Sequence, residues 1–258
     1  MKLPTAETEN QEPWYKSAFQ ADYLERYAHR NVEEAQLIFQ LLSNQAKLST
    51  SEYYLDLCCG AGRHSQVFCE KGYKIVGLDL SEDLLRAANN QPCRHARYVR
   101  ADMRLHPFFC NTYGGVMHLF TSFGYFHQDE QNAAVFQEVH RILKPGGWYL
   151  FDFLNATKVQ TQITHIPTTE LEVHKTLGRL RTTKQLSADG KRVVKRIQFL
   201  DSTVQREFVE DVALYNGEEL TTMLLTAGLR LNAVFGSYAG EAFNEGSTRW
   251  IALCEKPA

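Results

Sequence analysis

Apolar and polar positions along this chain keep two periods in turn. Short apolar runs at Tyr53–Asp56, Tyr73–Asp79, Ala96–Met103, Val116–Phe120 and Trp148–Phe153 read as buried strands. The segments between them carry helical spacing: Gln66–Lys71, Glu82–Asn89, and Glu130–Leu143 with Ala133, Phe136, Val139 and Ile142 on one face. Two further helical stretches come before the first strand. Trp14–His29 sets Tyr15, Phe19, Tyr23 and Tyr27 at successive i+4 positions, and Val32–Leu42 repeats Val32, Ala35, Phe39 and Leu42. Strand and helix in alternation predict an α/β fold around a parallel sheet.

Local signals punctuate these elements. Ser81 stands where an N-cap would open Glu82–Asn89, with Glu82 and Asp83 in its first turn. Gly72 is placed to end the helix after the first strand, and Lys144-Pro145-Gly146-Gly147 stops the one before the fifth. From Ala156 the pattern changes. Thr176–Leu186, Lys191–Leu200 and Thr203–Tyr215, joined at Ala188-Asp189-Gly190 and Asp201-Ser202, predict an antiparallel meander. A helix at Glu218–Ala227 and strands at Leu229–Gly236 and Arg249–Cys254 close the chain. The expected organisation is a flexible start (1–13), an α/β core with N-terminal lid helices (14–155), a β insertion covering substrate or serving dimerisation (156–215), and a final helix with the last core strands (216–258).

Composition narrows the function classes. With 258 residues the chain can bury a sizeable core, and a net charge of −2 gives no bulk reason to expect nucleic acid. The meander does concentrate cations: Lys175, Arg179, Arg181, Lys184, Lys191, Arg192, Lys195, Arg196 and Arg206. They read either as a site for an anionic acceptor or RNA, or as a solvated sheet face opposite Glu207, Glu210 and Asp211. Cys58, Cys59, Cys69, Cys93, Cys110 and Cys254 form no C-x-x-C, so buried free thiols are expected and no metal site. The absence of a signal-like start and of any apolar run near the ~20 residues of a membrane span predicts a cytoplasmic protein.

The chemistry gathers at strand ends. After Leu55-Asp56-Leu57 the chain passes Cys58-Cys59-Gly60-Ala61-Gly62, a turn whose glycines let backbone approach a ligand. Asp56, Asp79 and Asp102 close three successive strands, so a parallel sheet sets them along one rim. Asp79 can accept two ribose hydroxyls and Asp102 an adenine amine, while a carboxylate at Asp56 suits a cation better than a pyrophosphate. An adenosine bearing a positive group is S-adenosylmethionine (SAM).

These segments, with Leu119–Phe126 and Leu143–Gly147, carry a resemblance: the sequence resembles the class I SAM-dependent methyltransferases, in the small-molecule N-methyltransferase branch typified by glycine and aminosugar enzymes. The resemblance implies a Rossmann-like α/β fold, a seven-stranded mostly parallel sheet with helices on both faces and an inserted antiparallel meander. It implies SAM as cofactor, S-adenosylhomocysteine as product, and methyl transfer by in-line displacement to a small-molecule acceptor, with nitrogen the expected atom. The cofactor would meet Tyr15, Tyr23, Asp56, Cys58, Gly60, Gly62, Asp79, Leu80, Asp102, Met103, Phe120 and Ser122. Two positions depart from the family: Cys58 replaces its usual first glycine, and Gly114-Gly115 replace an acid at the fourth strand.

Methyl transfer needs collinear atoms and an unprotonated nucleophile. His127, following the fourth strand's loop, is the expected base, with Tyr125 and Tyr23 as catalytic partners. Phe120, Phe123, Tyr125 and Phe126 either face the sulfonium or belong to the core. The tyrosine stripe either packs on the sheet or forms a lid. His118 reads as a packed histidine, and Asp152 and Asn155 as acceptor-site candidates or turn formers. A membrane partner is not expected, and monomer and homodimer both stay open. RNA or protein methylation, a NAD-linked oxidoreductase, and SAM chemistry without methylation such as cyclisation are the competing readings.

Overall fold

The structure, a computed structural model, describes residues 12–27, 32–91, 93–163, 168–202 and 206–258. In chain order its elements are α1 (Trp14–Ala18), α2 (Ala21–Arg26), α3 (Val32–Gln45), β1 (Tyr53–Leu57), α4 (Arg63–Glu70), β2 (Lys74–Asp79), α5 (Glu82–Asn89) and β3 (Ala96–Arg100). There follow β4 (Tyr113–His118), α6 (Asp129–Ile142), β5 (Leu143–Leu154), α7 (Ala156–Gln162), β6 (Thr168–His174) and β7 (Gly178–Leu186). The last are β8 (Arg192–Phe199), β9 (Glu207–Ala213), α8 (Gly217–Thr226), β10 (Arg230–Phe235) and β11 (Arg249–Glu255).

Seven strands form the main sheet in the order β10-β11-β5-β4-β1-β2-β3. β1 to β5 run parallel, and β11 lies antiparallel between β5 and β10. The strand period sorts side chains onto the two faces. Leu55, Leu57, Val116, Tyr149, Phe151 and Phe153 join Phe136, Val139, Leu220 and Leu224 on one side. Tyr54, Met117, Leu150 and Ile251 join Ile38, Leu42 and Phe68 on the other. A parallel sheet needs helices on both faces, and the buried strand residues record that they are there. At Gly115 the ring of Trp148 occupies the space a Cβ would take, which accounts for glycine there.

The chain leaves β1 for β2 and β3, then returns to place β4 on the other side of β1. Such a reversal opens a crevice at the strands' carboxyl ends. A second sheet, β6-β7-β8-β9, is antiparallel and holds its own small core of Leu180, Ile197 and Phe199. It joins the main body where Ala213 N donates to Gly124 O at 2.8 Å and where α1 packs on β9.

Several elements differ from the sequence reading. The N-terminal stripe is two short helices broken at Phe19-Gln20, because the Ser81 hydroxyl takes the Phe19 carbonyl at 2.5 Å. The far end of that stripe at His29, most of the start at 1–13, Pro92 and the beginning of Thr203–Tyr215 lie outside the described residues. The insertion has a fourth strand, β6, and is preceded by α7, which Asn155 caps by accepting from Lys158 N. α5 has the predicted bounds and the Ser81 cap. β4 ends at His118 because Phe120 and Thr121 turn left-handed. Cys69 and Cys93 form a disulfide where free thiols were expected, while Cys58, Cys59, Cys110 and Cys254 are free. Among the described residues no helix is long and apolar enough to cross a membrane, and no cluster of metal ligands occurs.

Candidate functional site

A cavity of about 710 Å³ opens at the carboxyl rim of the parallel strands. Each strand of the crevice contributes its end. β1 and its turn bring Asp56, Cys58, Cys59, Gly60 and Ala61; β2 brings Asp79 and Leu80; Asp102 and Met103 follow β3; Phe120, Ser122, Tyr125 and Phe126 follow β4. Tyr15, Phe19, Tyr23 and Tyr27 close it from above, and Arg63, His64, Gln66 and Glu70 of α4 form a side wall. The residues expected to meet the cofactor or act in catalysis come together here except Gly62 and His127, while the acceptor-site candidates Asp152 and Asn155 lie outside the lining.

Gly62 lies just behind the lining. It N-caps α4 at φ 77°, and a Cβ there would collide with the Tyr98 hydroxyl. His127 stands outside the lining, its Nε2 3.6 Å from Asp211 Oδ2 on β9. Cys58, at the family's glycine position, adopts φ 60°, a conformation that costs a non-glycine residue about 1–3 kcal/mol. The turn tolerates the small side chain, which packs against Met103 Sδ at 3.5 Å.

The three acids are held differently. Asp56 is buried, and its Oδ2 accepts from Ser65 N at 3.1 Å and Ser65 Oγ at 2.7 Å. Burial outweighs those bonds and pushes its carboxyl up to about 7. Asp79 accepts from Gly60 N at 2.8 Å on Oδ2 and from Ser81 N at 2.9 Å on Oδ1. Burial raises its carboxyl too, against these backbone donors. Asp102 is clamped by Arg104, whose N and Nε donate to Oδ1 at 2.8 and 3.0 Å and whose Nη2 donates to Oδ2 at 2.7 Å. Burial opposes ionisation there, but the Arg104 bonds and charge hold the carboxyl below its ordinary value. Burial also pushes the Cys58 and Cys59 thiols well up, helped by the neighbouring acids. Both therefore stay protonated and poor nucleophiles.

The aromatic stripe forms the roof. Trp14 meets Tyr125 edge-on at 4.8 Å, Tyr15 meets Phe126 at 5.5 Å, Phe19 meets Tyr23 at 5.1 Å, and Tyr23 meets Tyr27 at 4.6 Å. Ion pairs to the second sheet pin it down. Arg26 Nη2 reaches Glu210 Oε1 at 3.0 Å, Lys195 Nζ donates to the Tyr27 hydroxyl at 2.7 Å, and Arg206 pairs with Asp22. Of the meander's cations, Arg179, Lys184, Arg192, Lys195, Arg196 and Arg206 each pair with an acid. That arrangement fits a paired sheet face better than an anion platform.

Sequence reasoning missed the α4 wall. His64 is buried with its ring 5.3 Å from Phe120, and Arg63, paired with Glu34 at 3.0 Å, lies 4.6 Å over the same ring. The signal was available, since both follow Gly62 directly and begin the helix after the turn. Of the predicted packed groups, His118 is buried between the Tyr149 hydroxyl and Ser122 O, at 2.9 and 2.7 Å. Burial lowers it to about 4, so it is neutral. Asp152 is fully buried and outside the lining.

Comparison with known proteins agrees with this geometry. Residues 55–147 match the family described as Methyltransferase domain (Methyltransf_25). The YqeM protein of Bacillus subtilis (strain 168) is 32% identical over 120 residues, 45% of this chain and 47% of its own. The chain thus spans about half the length of that relative. A cypemycin N-terminal methyltransferase from Streptomyces sp. is 27% identical over 206 residues, 78% of this chain and 82% of its own. Among solved structures, the sugar N-methyltransferase KedS8 from Streptoalloteichus sp ATCC 53650 superposes with a TM-score of 0.70 at 17% identity, over 100% of this chain and 99% of that one. Residues 55–147 thus resemble a methyltransferase domain, and the chain as a whole shares its fold with a sugar N-methyltransferase.

Proposed function

We propose that the protein transfers the methyl group of SAM to a small-molecule acceptor, at nitrogen, within the cavity at the β1–β4 rim. The observation that carries this reading is the cavity itself. Its volume of about 710 Å³ falls within the ~300–1,000 Å³ of small-molecule pockets, under a roof of aromatic rings. A polymer acceptor would need an open, cationic approach, and most of the meander's cations are already paired.

The donor set fits the cofactor. A carboxylate offers about four acceptor sites. Asp79 spends two on Gly60 and Ser81, leaving two for a ribose diol. Asp102 spends three on Arg104, leaving one for an adenine amine, with Met103 packing beside it. Asp56 keeps Oδ1 for the cationic amino end, and Tyr15, Tyr23, Cys58, Gly60, Leu80, Phe120 and Ser122 complete the cradle, with Gly62 shaping its turn. When bound, SAM supplies an electrophilic methyl on sulfur. The chain's part is to align the acceptor, surround the charge with the faces of Tyr23, Tyr125 and Phe126, and receive a proton. His64, in the cavity wall, is placed for that last task; His127 is the alternative from outside it. Nitrogen as target draws on the relatives whose names specify N-methylation.

Methyl-labelled SAM incubated with the protein and two cell fractions tests the proposal. Label in the small-molecule fraction is the expected outcome, with a mass that identifies the acceptor. Label in RNA or protein would overturn it, and SAM consumed without label transfer would mean cleavage or cyclisation.

A further inference from the structure

Phe120 and Thr121 are consecutive non-glycine residues in the left-handed region, at φ 58° and 60°. An aromatic and a β-branched side chain resist that conformation, so the surroundings must impose it. The pair sits where β4 enters the cavity, and Phe120 and Ser122 line the wall. Its backbone is hydrogen-bonded from behind the wall by β5, and the Thr121 hydroxyl by β11. Asp152 of β5, fully buried, accepts from Phe120 N at 2.7 Å and from the Tyr238 hydroxyl at 2.5 Å on Oδ2. Its carbonyl accepts from Thr121 N at 3.3 Å. Arg249 of β11 donates from Nε to Asp152 Oδ1 at 2.7 Å and from Nη2 to Thr121 Oγ1 at 2.8 Å.

We propose that the Asp152–Arg249 pair is a positioning device that forces Phe120 and Thr121 into the left-handed turn and thereby shapes the cavity wall for SAM. Neither residue lines the cavity, so their action passes through the backbone. Three donors converge on the Asp152 carboxylate: Phe120 N, the Tyr238 hydroxyl and Arg249 Nε. The Phe120 ring, fixed this way, meets the His64 ring at 5.3 Å and the Tyr238 ring at 5.6 Å, so the turn also sets the spacing between α4 and the β10–β11 loop. This inference rests on the cavity being the SAM site.

The test compares the full-length protein with Asp152→Asn, Asp152→Asn/Thr121→Gly and Tyr238→Phe. An amide has one acceptor oxygen where the carboxylate has two, so Asp152→Asn must leave a converging donor without its partner. Two readouts are taken: hydrogen exchange of the Phe120 and Thr121 amides in ligand-free protein, and SAM affinity by calorimetry. Asp152→Asn should speed exchange at both amides and weaken SAM about tenfold, the scale of one charge-assisted bond. Glycine takes positive φ without penalty, so adding Thr121→Gly should recover most of the lost affinity. A merely structural role would lower the melting temperature without that recovery. Tyr238→Phe, which removes one hydroxyl, should shift both readouts in the same direction by less, and it serves if Asp152→Asn does not fold. Unchanged exchange and affinity in either variant, or no recovery with Thr121→Gly, would overturn the proposal. If wild-type protein itself fails to bind SAM, the cofactor reading falls, and amide exchange alone then decides the positioning role.

Discussion

At the β1–β3 end of the cavity, polar contacts close over short stretches of chain: Asp102 to Arg104 spans two residues, Asp56 to Ser65 nine, and Asp79 to Gly60 nineteen. At the β4 end the partners come from far away. Arg26 meets Glu210 across 184 residues, and Thr121 meets Arg249 across 128. The first end is set by turns that form with the strands they terminate. The second exists only when the meander and the C-terminal hairpin have docked on the core. A ligand held at both ends therefore reads two kinds of order, one local and robust, the other assembled and adjustable.

The largest effect should come from the local end. Asp79→Ala removes the acceptor for Gly60 N and Ser81 N together with the proposed ribose contact, and SAM affinity should fall by ~1.5–3 kcal/mol. Exchange of the α2 amides should stay close to wild type, because the Asp79 carboxylate hydrogen-bonds the backbone at Gly60 and Ser81. Calorimetry with hydrogen exchange measures both; a large rise in α2 exchange would dissolve the distinction between the ends.

The assembled end should respond less, and differently. Glu210→Gln leaves the buried Arg26 with a neutral partner, a loss of about 1 kcal/mol. The consequence is a looser roof, seen as faster α2 exchange and faster SAM dissociation in stopped flow. Raised salt should act in the same direction through the more exposed Arg206–Asp22 pair, more weakly still. Equal dissociation rates in wild type and variant would mean that the second sheet does not hold the lid.

Asp56 sharpens the comparison through protons. Its folded carboxyl titrates near 7 against an unfolded value near 3.8, so the folded state keeps a proton that the unfolded state has lost. Stability contributed at this site therefore falls as pH rises from about 4 to about 7. A cationic ligand favours the ionised form, so SAM binding at a pH of about 6 should release protons and tighten as pH rises. Calorimetry in two buffers of different ionisation enthalpy reads that release, and Asp56→Asn should abolish it. Identical enthalpies for the wild type would separate Asp56 from the ligand's charge and leave it as a helix cap for Ser65.

How much of this was legible in the sequence follows the same division. Strands buried on both faces announce themselves as apolar runs, so the order of β1, β2 and β11 follows from such runs to within a residue at their ends, and the bounds of α5 follow from its cap. The glycine turn and the acids on the rim were legible because their partners are near in sequence. β6 was not, since it is exposed along nearly all its length and its only apolar alternation is the short pair Leu171 and Val173. The break at Phe19 was not legible either, because the Ser81 hydroxyl that causes it sits 62 residues away. Nor does the sequence near Phe120 show that Asp152 and Arg249 will bend it left-handed. Local chemistry predicts local turns; contacts between distant segments need the fold first.

The smallest expected effect concerns the residue that sequence position favoured most as a base. His127 follows the β4 loop, yet its side chain is 43% exposed and faces Asp211 on β9. An exposed pair of this kind contributes little, so His127→Ala should change stability and SAM affinity by no more than about 0.5 kcal/mol. Turnover of whichever small molecule accepts label should keep its pH profile if proton removal belongs to the cavity wall. His64→Asn is the counterpart: if His64 takes the proton, it should remove the acid limb of that profile, because its imidazole lines the cavity beside Phe120. The reverse pattern, a profile altered by His127→Ala and untouched by His64→Asn, would bring the β9 side of the loop into the reaction. It would also make the docking of the second sheet a catalytic event and not only a lid contact. A profile unmoved by either variant would mean that the acceptor arrives already unprotonated, and the wall would then need only to hold it in line.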